Sequence, residues 1–142
     1  MGRFRVVLDT NVIVAGLRSR KGASFLVLDL VERGELSLIL NASLVEEYED
    51  VIRRVEHQRV HQLSEADIHR FLRGLIAVAE VVETRLDRRV IMTRDPDDAV
   101  VAEAAIDGRA EHLVTHNVRH FAEVADRISV VTPGQLLRIM SE

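Results

Sequence analysis

Short apolar runs alternate with longer amphipathic stretches along this chain, and that alternation restricts its fold more than any other feature. Strands covered on both faces read as brief, continuous apolar segments, whereas helices laid over a sheet repeat apolar residues every three or four positions. The pattern predicts βαβ units and a parallel sheet. Arg3 to Leu8, Leu36 to Leu40, Glu111 to Thr115 and Ile128 to Val131 read as strands. A weaker strand falls at Val81-Val82 or at Val90-Ile91-Met92.

Helices fill the gaps. Ala23 to Arg33 offers Phe25, Leu26, Leu28, Leu30 and Val31 as an apolar face and closes at Gly34. Ser43-Leu44-Val45-Glu46 fits a capping box that opens a helix reaching about Val55. Another starts at Ser64, with Ile68, Phe71, Leu72, Leu75, Ile76 and Ala79 turned inward. In Asp95-Pro96-Asp97-Asp98, Asp95 is the N-cap and Pro96 the first helical residue of a helix that runs to about Asp107 and stops at Gly108. Thr132-Pro133-Gly134-Gln135 caps a final helix whose Leu136, Leu137, Ile139 and Met140 face inward. No linker, repeat or low-complexity segment interrupts residues 1–142, so the expectation is one α/β domain.

The first strand runs straight into Asp9-Thr10-Asn11. If successive strands pair in parallel through right-handed crossovers, the ends carrying Asp9, Asn41 and Thr115 point to one edge of the sheet, where open α/β sheets bind ligands. Asp9 must sit at that edge, as a site carboxylate or as a helix N-cap. Thr10 and Asn11 share its turn. Glu46 and Glu47 are successive helical residues and so point about 100° apart. With Glu46 assigned to the capping box, Glu47, on the face of Leu44 and Val51, becomes the candidate. Asp95, Asp97 and Asp98 are all explained by capping and the helix dipole, but Asp98 lies on the face of Val101 and Ala102 and is the inward one. At the end of the penultimate strand come Thr115, His116 and Asn117, whose amide can offer a neutral oxygen.

Carboxylates gathered at one point repel one another and call for a cation. The chain has no cysteine, which excludes thiolate sites and favours Mg²⁺ or Mn²⁺ held by oxygen. A net charge of -4 argues against a uniformly basic nucleic-acid binder but leaves room for a local patch. Lys21 is the only lysine; arginine suits bidentate phosphate contacts, although genomic codon bias explains the preference equally well. No stretch approaches the roughly 20 apolar residues that span a bilayer, and the N-terminus lacks a signal-peptide layout, so the expected setting is cytoplasmic.

Four segments, in order, resemble the PIN-domain ribonucleases, and within them the VapC-like toxins of toxin–antitoxin pairs. They are Val7-Leu8-Asp9-Thr10-Asn11-Val12, Leu44-Val45-Glu46-Glu47-Tyr48, Asp95 through Ala102, and Leu113-Val114-Thr115-His116-Asn117 with Phe121 after it. The resemblance implies a three-layer α/β/α sandwich around a parallel sheet of about five strands and Mg²⁺- or Mn²⁺-dependent cleavage of RNA. It also implies an antitoxin partner and a homodimer or higher homo-oligomer. Asp9, Glu47 and Asp98 match the family's acidic site residues, and Asn117 stands where many members carry a fourth acid. Asp9 and Asp98 would ligate the metal, Glu47 would ligate it or orient the attacking water, and Asn117 and Thr115 would hold a water or the scissile phosphate. Loss of the fourth charge favours one tightly held metal over two and motivates an alternative, a non-catalytic PIN scaffold that binds RNA or a protein. A phosphoaspartyl receiver would need a second aspartate two residues after Asp9 or a late lysine, and the chain has neither.

Other residues carry weaker expectations. His57 with His61, and His116 with His120, have helical metal-pair spacing but no third ligand in sequence. Arg18, Arg20 and Lys21 form a basic loop that suits RNA phosphates. Phe25, Leu26 and Leu30, with Leu44, Tyr48 and Val51, suggest either core packing or a groove for a partner.

Overall fold

The computed structural model describes residues 3–83 and 95–142. Five parallel strands form one sheet in the order β3-β2-β1-β4-β5: β1 (Arg5–Leu8), β2 (Ser37–Leu40), β3 (Glu80–Val81), β4 (His112–Val114) and β5 (Ser129–Val131). The strands fall where the apolar runs predict them, with the weak strand one residue earlier than Val81-Val82. The competing run, Val90 to Met92, lies outside the described residues.

Among the described residues, seven α-helices connect and cover the sheet: α1 (Thr10–Arg18), α2 (Ala23–Glu32), α3 (Ala42–Ile52), α4 (Val55–His61), α5 (Glu65–Val78), α6 (Pro96–Asp107) and α7 (Pro133–Ser141). A 3-10 segment spans Val118–Val124. The chain steps outward from β1 to β2 and β3, then returns to the other side of β1 for β4 and β5. With right-handed crossovers, that reversal puts α6 on the face opposite α1 and α2 and gives the α/β/α layering. The strand interiors Val6, Val7, Leu38, Ile39, Leu113 and Val114 are wholly buried between the layers.

Two local expectations are corrected, the extent of the basic loop and the cap of α3. Residues 10–18 are helical, although Thr10-Asn11-Val12-Ile13-Val14 and Gly16 are poor helix formers; burial of Val12, Ile13 and Val14 overrides propensity. Gly16 lets α1 pass close to α2, since a Cβ there would come within 2.3 Å of Leu28 Cδ1 and displace that side chain. The basic loop is accordingly shorter than expected, with Arg18 in the last turn of α1.

The second correction concerns α3. Its cap is Asn41, whose side-chain oxygen accepts from Leu44 N at 2.8 Å; the helix starts ahead of the proposed Ser43 and Glu46 box, and Glu46 is exposed. Strand β2 ends at Leu40, so the first polar residue after it takes the cap. Helix α4 and the 3-10 segment, which no expectation covered, have too few residues for their periodicity to stand out.

The other caps match expectation. Ser64 with Asp67 and Thr132 with Gln135 form capping boxes, Asp95 caps α6 ahead of Pro96, and Gly34 turns with φ 75° after α2.

Candidate active site

Because β1 pairs with both β2 and β4, the reversal of strand order lies between β1 and β4, and a crevice opens outside the carboxyl ends of those strands. Leu8 is in register with Val114, which places Asp9 beside Thr115 across the strand ends. Asp9 is only 5% exposed. Its Oδ1 accepts from its neighbour Thr10 N at 2.8 Å, and its Oδ2 accepts from the Thr115 hydroxyl at 2.7 Å. Cap and site acid are therefore one side chain: one oxygen starts α1 while the other is tied to β4.

Thr115 is fully buried and its hydroxyl is committed. Besides donating to Asp9, it accepts from Asn117 N at 3.0 Å and from Asn11 Nδ2 at 3.4 Å. Asn11 Oδ1 in turn accepts from His116 N at 3.2 Å. In this structure the Thr115 hydroxyl holds Asp9 and the Asn117 turn. Tyr48, buried in α3, donates its hydroxyl to the Leu8 carbonyl and braces the end of β1 from below.

Beyond Asp9, a cleft of about 210 Å³ is walled by Glu47 from α3, Asp97 and Asp98 from α6, Asn117, and His120 from the 3-10 segment. All four candidate ligands thus line one crevice. Burial lifts the Asp98 carboxyl to about 6, helped by the charges of Asp9 and Asp95. Burial also raises Glu47, with Asp97 adding repulsion. Asp9 is raised by burial despite its hydrogen bonds to Thr115 and Thr10. Each of these groups is costly to ionise, and for Glu47 and Asp98 neighbouring acids add to the cost, which is the electrostatic situation a cation relieves.

The donor set suits a hard divalent ion: carboxylate and amide oxygens, no sulfur, and solvent access for the several waters that Mg²⁺ retains. Among the described residues no three Asp, Glu or His side chains form a ready-made chelate, so an ion would have to draw Asp9, Glu47 and Asp98 together. Asp95 is occupied at the α6 cap, with Oδ1 accepting from Asp97 N at 2.9 Å.

His120, singled out in the sequence only as half of a histidine pair, stands at the acid cleft instead. Its Nδ1 lies 3.5 Å from Asp98 Oδ2, and only its place one turn after Asn117 hinted at this. Among the described residues the helical histidine pairs do not form metal sites. His61 Nε2 meets the Ile52 carbonyl and its Nδ1 accepts from Leu63 N, while His116 Nε2 meets the buried Ser24 hydroxyl at 2.7 Å. Of the suggested partner groove, Leu44, Tyr48 and Val51 belong to the core, and Leu26 is 48% exposed.

A family model described as PIN domain matches residues 5–119, most of the chain, including Asp9, Glu47, Asp97, Asp98 and Asn117 of the cleft. The chain belongs to the PIN domain family. No curated protein sequence matches it. Among solved structures, this PIN domain is similar to VapBC2 from Rickettsia felis, captured in a crystal structure bound to a DNA fragment from their promoter. The TM-score is 0.61 at 14% identity, covering 91% of this chain and 98% of that one. At such low identity the likeness concerns the fold of the PIN domain.

Proposed function

We propose that this chain is a metal-dependent endoribonuclease, a VapC-like toxin that hydrolyses RNA phosphodiester bonds in the cytoplasm and is restrained by an antitoxin. One observation carries the reading: in a PIN domain, Asp9, Glu47, Asp98 and Asn117 line a single crevice at the carboxyl edge of the sheet. The fold likeness to VapBC2 supports the antitoxin partner.

Mg²⁺ or Mn²⁺ would be held by Asp9, Glu47, Asp98 and the Asn117 carboxamide, where it supplies Lewis-acid stabilisation of phosphate charge and makes water more acidic. The chain's own groups do the rest by position. Thr115 and the Thr10 amide fix both Asp9 oxygens so that its charge faces the crevice. Glu47, partly exposed in the same cleft, would orient the attacking water. Asn117 presents its amide from a turn pinned by Thr115.

The direct test is cleavage of a labelled single-stranded RNA with added Mn²⁺ or Mg²⁺. Cleavage that stops with EDTA and is absent in Asp9→Asn supports the reading; metal-independent cleavage, or an unchanged rate in that variant, overturns it. A second reading, a non-catalytic scaffold for RNA or protein, is favoured by the neutral Asn117 and by the lack of a preformed chelate among the described residues. RNA binding with no cleavage under either metal selects the scaffold.

A further inference from the structure

The acid cleft does not end at its own walls. On one side it shares Asp98, Asn117 and His120 with a larger cleft of about 860 Å³ that also holds Pro96, Val118 and Arg119. On the other it shares Thr10, Asn11 and Arg54 with a cleft of about 390 Å³ that also holds Arg18 and His57. The three clefts adjoin in one trough, the two arginine-bearing ones also meeting at His116, so arginines border the acids in both neighbouring clefts.

Arg18, Arg54 and Arg119 are exposed, and none makes an ion pair among the described residues. Elsewhere Arg33 is engaged with Asp29, Arg53 with Glu49 and Glu65, and Arg70 with Asp67, while Arg20, Arg73, Arg109, Arg127 and Arg138 are as free of ion pairs among the described residues, so what sets Arg18, Arg54 and Arg119 apart is their place beside the acids. Arg54 is close enough to stabilise the ionised form of Glu47 without pairing with it.

A phosphate chain is repelled by the central carboxylates, so its entry depends on cations placed before and after them. We propose that the trough seats one RNA strand across the acid cleft, with Arg18 and Arg54 on backbone phosphates to one side of the scissile bond and Arg119 on a phosphate to the other. This rests on the ribonuclease reading. The two ends differ in chemistry. The Arg18 and Arg54 end is the smaller and suits backbone alone. The Arg119 end is wide, with Pro96, Val118 and the His120 ring offering flat or apolar surfaces on which a nucleobase stacks. Base preference therefore arises at the Arg119 end, and cleavage is internal because both ends must be occupied.

The experiment measures binding apart from chemistry. A fluorescein-labelled single-stranded RNA of about 12 nucleotides is titrated with protein in EDTA and followed by anisotropy at several salt concentrations. Arg54→Ala and Arg119→Ala should each weaken binding about tenfold and flatten the plot of log K against log salt by about 0.7 for each phosphate no longer neutralised. Arg70→Ala, whose side chain is paired on α5, should change neither. Thermal melts confirm that the variants fold, and the same RNA with Mn²⁺ reports cleavage. If wild type cleaves while both variants keep their affinity and salt slope, the strand path is overturned and the ribonuclease reading stands. If wild type does not cleave but both arginines are needed for binding, the path stands and the hydrolytic reading falls.

Discussion

At the scale of single residues, the site depends on hydrogen bonds that offset the cost of burying Asp9. Asp9→Asn is informative because asparagine caps helices about as well as aspartate, so α1 should still start and a melt should stay close to wild type while cleavage is lost. Thr115→Val should cost about 1–3 kcal/mol in urea unfolding, since it strips Asp9 Oδ2 and the Asn117 amide of a buried partner at once. Thr115→Ser should recover most of that loss and the activity. Asp98 sets a pH dependence. Its carboxyl titrates near 6 in the folded chain and near 3.8 when unfolded, so its stabilising share is complete below about 4 and lost as pH rises through 6. Metal-free Asp98→Asn should therefore melt a few degrees above wild type at pH 7 and level with it at pH 4, and saturating Mn²⁺ should raise wild type more than the variant. The sequence makes Asp9 and Asp98 legible because each breaks a pattern, one ending an apolar strand and one facing inward from an acidic turn. His120 and Arg54 break none, since an exposed histidine or arginine means nothing until the fold shows what stands beside it.

Elements were legible wherever burial and periodicity agree. The strands and the helices α2, α5, α6 and α7 carry both, and their caps lie where chemistry demands. Helix α1 carries burial without propensity, and α3 carries two competing caps, of which the sequence favours the wrong one. The two caps can be weighed directly. Asn41→Ala should destabilise the protein by about 1 kcal/mol, whereas Glu46→Ala should stay within about 0.5 kcal/mol of wild type in denaturant unfolding. Close approach between elements is the other hidden constraint. At Gly108, after α6, an added Cβ would lie 2.5 Å from Ile39 Cγ2 on β2 and 2.9 Å from the Ala104 carbonyl. Gly108→Ala should cost about 1–3 kcal/mol through overpacking, with φ already in the ordinary helical range and therefore no relief available from the backbone.

For the whole molecule, order along the chain and order in the sheet are different things. The central strand is the first one made, yet its partner β4 arrives more than a hundred residues later, and Arg5, which meets Glu80 and the Gly108 carbonyl, stitches the same distant parts together at the opposite end of the sheet. A chain ending at Asp107 should fail to give a cooperative melt, because β1 would lose one neighbour and Asp9 its Thr115 partner. The alternation of runs announced a parallel sheet but not this reversal, which no local pattern encodes. The crevice at the reversal has a consequence for synthesis. Asp9 leaves the ribosome more than a hundred residues before Thr115, so a nascent chain carries the Asp9 carboxylate without the hydroxyl that holds it. On the proposed ribonuclease reading, the chain cannot cut RNA before β4 and Thr115 have followed β1.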